Sequence, residues 1–339
     1  MKQVLEKRIK QSLVMSLFVV TTYWGFSQQE PTLSQYMLST YDYNAGYAGL
    51  SNTLNATIFY RQQWIGMRGA VSAETGKKSS LSPYNAHAIA EMPIKFLHGG
   101  IGLEVSTTTA AQFSDVFIKV GYAYHLQTSF GVIGMGVRAQ FCNKTIDWAS
   151  FTPEQSSDPV ITGKTKENNS AFLADAGIGF YLKGNLNYNV GIAFNNIIAS
   201  RKEDIGFSTM RNMVLSGGYS FTFPDMPKVE FSPVTRLTFI LPGNDGRQKY
   251  YTGVYWDLSL LATFNRQFWT GLSYRMKDAV SVLAGFNFRQ LQIGVSYDIS
   301  TTKLIKVSAI GGSLEISVRY AFSIETDKYN PSYKNSRYL

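Results

Sequence analysis

A two-residue alternation of apolar and polar side chains runs through this chain from residue 54 onward. In the clearest run, Ile133 to Phe141, every second residue is apolar and the residues between are glycine, arginine or glutamine. Successive side chains of a β-strand point to opposite faces, so this period predicts strands rather than helices. We predict fourteen strands, at 54–64, 84–92, 99–107, 113–125, 130–142, 171–182, 188–196, 212–223, 229–240, 251–264, 267–275, 278–289, 291–299 and 313–322.

Composition separates two architectures that both produce this alternation. A soluble β-sandwich alternates because one face of each sheet is wet, and a membrane barrel because one face meets lipid. Charged residues make up only 16% of the chain, against roughly 25% in soluble domains. The polar positions are largely glycine, serine, asparagine and glutamine, while tyrosine and phenylalanine collect toward strand ends, as at Tyr122, Phe141 and Tyr320. The sequence therefore predicts an all-β fold, a transmembrane antiparallel up-and-down β-barrel, with a soluble secreted β-sandwich adhesin as an alternative.

The connections between the predicted strands give a partly independent check. Bacterial single-chain barrels have an even number of strands, short periplasmic turns and longer outer loops. With the N-terminus in the periplasm, the long connections fall on the outer side, except after the third and eleventh strands. Those two short outer connections leave 12 or 16 strands open as alternatives to 14.

The first residues have the pattern of a secretory signal peptide. Basic residues precede an apolar stretch at 13–20, and the small residue Ser27 ends the segment. We therefore predict four parts: a signal peptide at 1–27, an N-terminal periplasmic or lumen segment at 28–53, the barrel at 54–322 and a polar C-terminal tail at 323–339. The predicted location is the bacterial outer membrane, with both termini in the periplasm.

Charge and cysteine content exclude other classes. The formal net charge of +9 includes the basic signal peptide, and the remaining charge is spread along the chain. It forms no basic patch of the kind that binds nucleic acid, so we predict no nucleic-acid partner. Cys142 is the only cysteine and cannot form an internal disulfide.

No catalytic or metal-binding motif stands out. The histidines His87, His98 and His125 lie in no metal-ligand or nucleophile pattern. Gly134 to Ala139 matches the loose dinucleotide fingerprint, but it lies inside an alternating strand instead of opening a helix. We predict a protein that is not an enzyme, with no catalytic residues, cofactor or metal.

Charged side chains recur on the polar register of the strands. We expect them to face the lumen and to pair with one another, with a pore field as the other interpretation. The residues are Glu91, Glu104, Lys119, Arg138, Asp175, Asp298, Glu315 and Arg319.

The segment before the first strand is rich in tyrosine. Four tyrosines lie within 12 residues, at Tyr36, Tyr41, Tyr43 and Tyr47. Large aromatic side chains are costly to leave in water, so we expect this segment to pack against the lumen or a partner.

Three motifs in this region resemble the PorP/SprF family. They are Leu33-Ser34-Gln35-Tyr36-Met37, Asn44-Ala45-Gly46-Tyr47-Ala48-Gly49 and Arg61-Gln62-Gln63-Trp64-Ile65-Gly66, against F-S-Q-Y-M, N-P-A-Y-A-G and R-x-Q-W-x-G in the family. Residues 312–318 also resemble the family's closing strand. Ala45 and Gly46 depart from the usual proline and alanine.

The resemblance implies a component of the type IX secretion and gliding-motility apparatus of Bacteroidetes. Its expected partners are type IX secretion components of the periplasm or the C-terminal domain of a large secreted adhesin-like surface protein, with outer-membrane lipid around the barrel. A passive porin or small-solute channel is the alternative function. We hypothesise that partner binding involves Gln35, Tyr36, Asn44, Tyr47, Arg61, Gln63 and Trp64.

Overall fold

A computed structural model describes residues 32–71, 78–147, 170–202, 207–241, 253–302 and 311–322. The predicted signal peptide and C-terminal tail lie outside these ranges. No helix within them has the length and apolar character needed to cross a membrane.

The described chain forms a closed antiparallel barrel of fourteen strands, which confirms the predicted fold and strand count. Strand boundaries agree with the sequence prediction to within four residues. The last strand pairs with the first, Phe322 opposite Leu54, and so closes the ring. The strands are β1 (Leu54–Gln62), β2 (Tyr84–Ile94), β3 (Gly99–Ala110), β4 (Phe113–Thr128), β5 (Gly131–Ile146), β6 (Ser170–Gly184), β7 (Tyr188–Asn195), β8 (Asn212–Tyr219, continued by Phe221–Thr222), β9 (Val229–Ile240), β10 (Gly253–Phe264), β11 (Phe268–Arg275), β12 (Ala279–Phe288), β13 (Leu291–Ser300) and β14 (Gly312–Phe322).

Burial alternates along each strand as the two-residue period requires. On β1, Ile58 is 61% exposed on the outer face, whereas the adjacent Phe59 is 0% exposed on the lumen face. Polar residues follow the lumen register, so Arg61 on β1 lies directly opposite Glu315 on β14. An apolar exterior and a polar interior are what a barrel in a membrane needs.

The two ends of the barrel differ in the length of their connections. At the short-turn end, the strands are joined through 95–98, 129–130, 185–187, 223–228, 265–267 and 289–290. At the long-loop end, they are joined through 63–83, 147–169, 196–211, 241–252 and 301–311, and by two tight turns at 111–112 and 276–278. Two of the long connections contain small hairpins, Arg68–Val71 with Lys78–Ser80 and Arg201–Lys202 with Phe207–Ser208, which the alternation did not predict because each strand is very short.

The wall has one irregularity, between β8 and β9. The ladder pairs Gly218 with Val234 and resumes at Phe221 with Phe231, so Ser220 and Pro233 fall in the gap. Proline has no N–H to donate, which explains the interruption. The hydroxyls of Ser220 and Ser232 bridge the gap with an O···O distance of 2.7 Å.

Aromatic side chains line the outer face near the short-turn end. The rings of Tyr320 and Phe322 lie 4.5 Å apart, and those of Phe268 and Phe286 lie 4.9 Å apart. Such aromatic bands mark the interfaces of outer-membrane barrels.

Candidate functional site

The lumen holds the chain's own N-terminal segment. Residues 32–53, called the plug segment below, contain three short helical turns at Tyr36–Leu38, Thr40–Tyr43 and Ala45–Tyr47 and no strand. Tyr36 and Tyr41 are 0% and 1% exposed, although the segment belongs to no sheet. Its contacts reach strands on opposite sides of the ring, which is possible only from inside the barrel.

One anchor joins the first plug residues to β14 and β1. The Glu315 carboxylate accepts hydrogen bonds from the backbone N–H groups of Ser34 at 2.8 Å and Gln35 at 2.9 Å. Arg61 lies 3.3 Å from the same carboxylate and 2.7 Å from that of Asp298. The Ser34 hydroxyl donates to Asp298 at 2.7 Å, so this carboxylate holds both the barrel and the plug segment.

The ion network continues along the lumen face of the wall, from strand to strand, as far as β9. Arg275 on β11 lies 3.0 Å from Asp257 on β10 and 3.8 Å from Asp298. Arg236 on β9 lies 2.7 Å from Asp257 and packs its guanidinium over the Tyr36 ring at 4.6 Å. The network therefore meets the plug segment again at Tyr36.

The hydroxyl of Tyr36 completes this contact. It donates a hydrogen bond of 2.9 Å to the backbone carbonyl of Val234, next to the interruption at Pro233. The plug segment is therefore bonded to the wall next to the place where the ladder is interrupted.

A second anchor lies on the opposite wall. The Lys119 ammonium on β4 contacts the Asp42 carboxylate of the plug segment at 2.6 Å and Glu104 on β3 at 3.3 Å. Arg138 on β5 donates to the backbone carbonyls of Tyr41 and Asp42. Charge-assisted bonds of this kind are roughly twice as strong as neutral ones.

The group around Asp42 also has the composition of a metal site. Asp42, His87 and Glu104 offer ligand atoms within 4.8 Å of one another. Lys119 contacts both carboxylates and supplies the positive charge that a metal ion would bring. The arrangement therefore serves as an ion-pair cluster.

Glycines on the lumen face make room for the plug segment. A Cβ on Gly136 of β5 would collide with the backbone of Ala45, and one on Gly100 of β3 would collide with Ala48. In the reverse direction, a Cβ on Gly46 would lie 2.7 Å from the carbonyl oxygen of Gly134. The lumen glycines of the alternating strands therefore allow backbone to approach backbone.

The plug segment leaves the lumen at the short-turn end, on the β2 to β6 side. There His125 contacts the Ala48 carbonyl at 2.8 Å, and Lys183 donates to the Leu50 carbonyl at 3.2 Å. Residue 54 then begins β1 at the same end. The segment thus runs from the Arg61 anchor, near the long-loop end, to the opposite mouth.

The seven residues of the partner-binding hypothesis do not form one surface. Gln35, Tyr36, Asn44 and Arg61 are at most 2% exposed inside the barrel. Asn44 donates from its amide to the carbonyl oxygen of Phe180 at 3.1 Å. Tyr47 packs edge-on against Tyr181, with ring centroids 5.1 Å apart.

Gln63 and Trp64 lie at the long-loop end, just after β1. The Gln63 N–H donates to the Pro83 carbonyl at 2.7 Å, and the Trp64 N–H to the Ser313 hydroxyl at 3.1 Å. Trp64 is separated from Tyr47 by most of the height of the barrel. Direct partner contact by these residues stays a prediction.

The eight charged residues predicted for the lumen all lie on lumen-facing positions. Glu104, Lys119, Arg138, Asp298 and Glu315 belong to the two anchors described above. Glu91 lies 3.8 Å from Arg319 and accepts from Asn55 at 3.1 Å. Asp175 instead holds a long loop, accepting from Thr209 at 2.5 Å and from the Ile198 N–H at 2.9 Å.

The sequence prediction omitted several residues of the plugged lumen. They are Ser34, Asp42, Arg236 and Arg275. The two arginines fall on the polar register of their strands, and that signal could have found them. Ser34 and Asp42 carry no comparable periodic signal.

The sequence matches the model of a known protein family. This model is described as type IX secretion system membrane protein PorP/SprF, and it matches residues 25–320. A search of curated proteins gives no match.

Solved structures share the barrel fold. The TodX deltaS2S3 mutant, a monoaromatic hydrocarbon channel, is 11% identical with a TM-score of 0.50, covering 82% of this chain and 92% of that one. The toluene transporter TbuX of Ralstonia pickettii is 7% identical with a TM-score of 0.46, covering 82% and 91%. Omp33 of Acinetobacter baumannii is 6% identical with a TM-score of 0.43, covering 80% and 99%. At these identities the likeness is one of fold alone.

The family match covers most of the chain, from before the plug segment to Tyr320 in the last strand. The chain belongs to the PorP/SprF family of type IX secretion system membrane proteins.

Proposed function

We propose that this barrel is a non-conducting binding component of type IX secretion and gliding motility. It captures the periplasmic machinery or the C-terminal domain of a large secreted surface protein and assists the export or anchoring of that protein. It performs no catalysis. The observation that carries the proposal is the plug segment, which occupies the lumen.

A passive porin, the alternative function, needs an open lumen. Here Arg61, Glu315 and Asp298 hold the start of the plug segment, and Lys119 holds its middle. Removing one partner from a buried ion pair costs several kcal/mol, about 3–5, so spontaneous opening would be rare. The plug segment therefore favours binding over conduction.

The surface available to a protein partner is the part of the barrel that lipid does not cover. Lipid covers the apolar outer face, which leaves the two ends of the barrel for protein partners. We place the short-turn end in the periplasm, because outer-membrane barrels have their short turns there. The plug segment reaches the periplasmic mouth at Leu50 to Thr53 and forms part of that surface.

Affinity purification of the tagged protein from gently solubilised outer membranes, followed by mass spectrometry, tests the proposal. We expect co-elution of secretion-ring components or of one very large secreted protein, and these two outcomes separate the two kinds of partner. Recovery of the barrel alone in several detergents, together with steady conductance in planar bilayers, would favour the porin.

A further inference from the structure

The plug segment leaves one side of the short-turn mouth uncovered. It exits beside His125 and Lys183, on the β2 to β6 side. On the β8 to β10 side, a recess of about 280 Å³ opens at the same end. Its walls include Thr222, Lys228, Glu230 and Thr263 and the turn at Asn265 and Arg266.

The strand register shows that this recess belongs to the lumen and not to the lipid-facing surface. Glu230 lies on the same face of β9 as the buried Arg236, an even number of residues away. Thr263 lies on the same face of β10 as the buried Asp257. The recess therefore opens into the lumen, and its walls do not face the surrounding lipid.

The turn that forms its rim is fixed by backbone geometry. Asn265 and Arg266 both adopt left-handed conformations, with φ of 49° and 58°. The Asn265 N–H donates to the Lys228 carbonyl at 2.8 Å, and the Asn287 amide donates to the Arg266 carbonyl at 3.2 Å. The site is thus formed before any ligand arrives, which lowers the entropic cost of binding.

The two cations of the recess differ from those deeper in the lumen. Arg61, Arg236 and Arg275 are buried and paired with carboxylates. Lys228 and Arg266 are exposed at the mouth, and within the described ranges neither has an ion pair. Glu230 is the single acidic residue lining the recess, so its net charge is positive.

We propose that this recess, defined by Lys228, Glu230 and Arg266, binds a short acidic peptide segment of a periplasmic protein partner. Arginine binds carboxylates through paired hydrogen bonds, and lysine adds a second positive charge. The volume is near the lower end of ligand pockets, about 300–1,000 Å³, so it takes a few residues and not a folded domain. The proposal deepens the proposed function and rests on it for the end that faces the periplasm.

A binding assay on the purified full-length protein in detergent tests this. The probe is a fluorescein-labelled hexaglutamate peptide, measured by anisotropy at low salt, with hexalysine as the opposite-charge probe. We expect hexaglutamate to bind, hexalysine not to bind, and the K228E/R266E variant to bind hexaglutamate at least tenfold more weakly. The matched control is K95E/R289E, which reverses the same number of charges at the same end but outside the recess, and should bind within twofold of wild type.

Three outcomes would overturn the proposal. Equal weakening by both double variants would show a general surface charge effect instead of a site. Unchanged binding by K228E/R266E would remove the recess from the interaction. Binding to phosphatidylglycerol vesicles that depends on Lys228 and Arg266, with no peptide binding, would assign the cations to lipid.

This test is separable from that of the proposed function. The peptide assay needs no secretion partner, so it can succeed even if affinity purification recovers the barrel alone. If purification recovers a partner from wild type, K228E/R266E should reduce its yield at least fivefold while K95E/R289E does not. A normal yield from K228E/R266E would leave secretion function intact and refute the recess as its binding site.

Discussion

The Glu315 carboxylate accepts a hydrogen bond of 2.8 Å from the backbone N–H of Ser34, 281 residues earlier in the chain. The last strand of the barrel thus holds the first described turn of the plug segment. Glu315 also accepts from the Gln35 N–H and contacts Arg61, so one carboxylate links the plug segment, β14 and β1. Closure of the barrel and seating of the plug are therefore coupled.

Replacing the Glu315 carboxylate should weaken both the closure of the barrel and the seating of the plug segment. In Glu315→Gln, one of the two carboxylate oxygens becomes an amide donor that faces backbone N–H groups, and Arg61 loses a charged partner. Leaving a buried donor unsatisfied costs about 1–3 kcal/mol. We expect the free energy of unfolding, measured by urea titration with tryptophan fluorescence, to fall by this amount.

Asp225→Asn is the control for this experiment, because Asp225 is an exposed acid in the turn at 223–228. Its unfolding curve should match that of wild type. A Glu315→Gln protein as stable as wild type would mean that the anchor does not contribute to stability.

The glycines of the lumen provide a second test. Gly136→Ala places a methyl group against the backbone of Ala45, where neither strand nor plug can move aside easily. Overpacking a close contact typically costs about 1–3 kcal/mol, so the melting temperature should fall. Gly217→Ala is the matched control, since the nearest atom to its added Cβ lies 3.6 Å away. Equal effects from both substitutions would contradict the conclusion that the lumen glycines make room for the plug segment.

Asp257 is the shared acidic partner of two buried arginines. Asp257→Asn leaves Arg236 and Arg275 buried without their shared carboxylate. Removing one partner from a buried ion pair costs about 3–5 kcal/mol. We expect strong destabilisation in urea unfolding, partly reversed by Arg236→Gln in the same chain because that change removes an uncompensated charge. No recovery in the double variant would show that the loss is one of packing and not of charge.

The sequence predicts the barrel well because its signal is local. A two-residue period is visible within each strand, and it also orients Glu104, Lys119 and Glu315 toward the lumen. The break in β8 was not predicted, since it depends on Pro233 in the neighbouring strand. The tyrosines at 36–47 predict burial against a lumen or a partner, but not the path of the segment.

The anchors could not be predicted for a physical reason. The contact of Arg61 with Asp298 depends on which lumen side chains face each other across the barrel, and strand periodicity does not contain that information. Ser34 and Asp42 lie in a segment without regular structure, so their partners are set by how the whole segment packs. The hypothesis that Tyr36, Tyr47 and Trp64 take part in partner binding is affected in the same way, because these three residues lie in three different parts of the barrel.

The three aromatics should therefore be substituted one at a time. Trp64→Ala changes the long-loop end and leaves the plug segment in place, so any effect on partner recovery would come from that end. Tyr36→Phe removes only the hydroxyl that bonds to Val234 and should cost about 0.5–1.5 kcal/mol of stability. Tyr47→Ala alters the plug near its exit. We expect partner recovery in affinity purification to fall most for Tyr47→Ala, and an equal fall for Trp64→Ala would show that the binding surface includes the long-loop end.

Deleting residues 33–50 should convert the protein into a channel. The remaining lumen would be lined by polar side chains and glycines, with Arg61, Lys119 and Arg138 no longer contacting the plug segment. We expect wild type to show no steady conductance in planar bilayers and the deletion variant to show discrete openings, because the plug segment no longer fills the lumen. Heat-modifiable migration on gels would verify that the shortened barrel has folded. Should the deletion fail to fold, Gly136→Val, whose side chain overlaps the position of the Ala45 backbone and so opposes seating of the plug segment, is measured in the same way. A folded deletion variant that, like wild type, shows no conductance would show that something other than the plug segment closes the barrel.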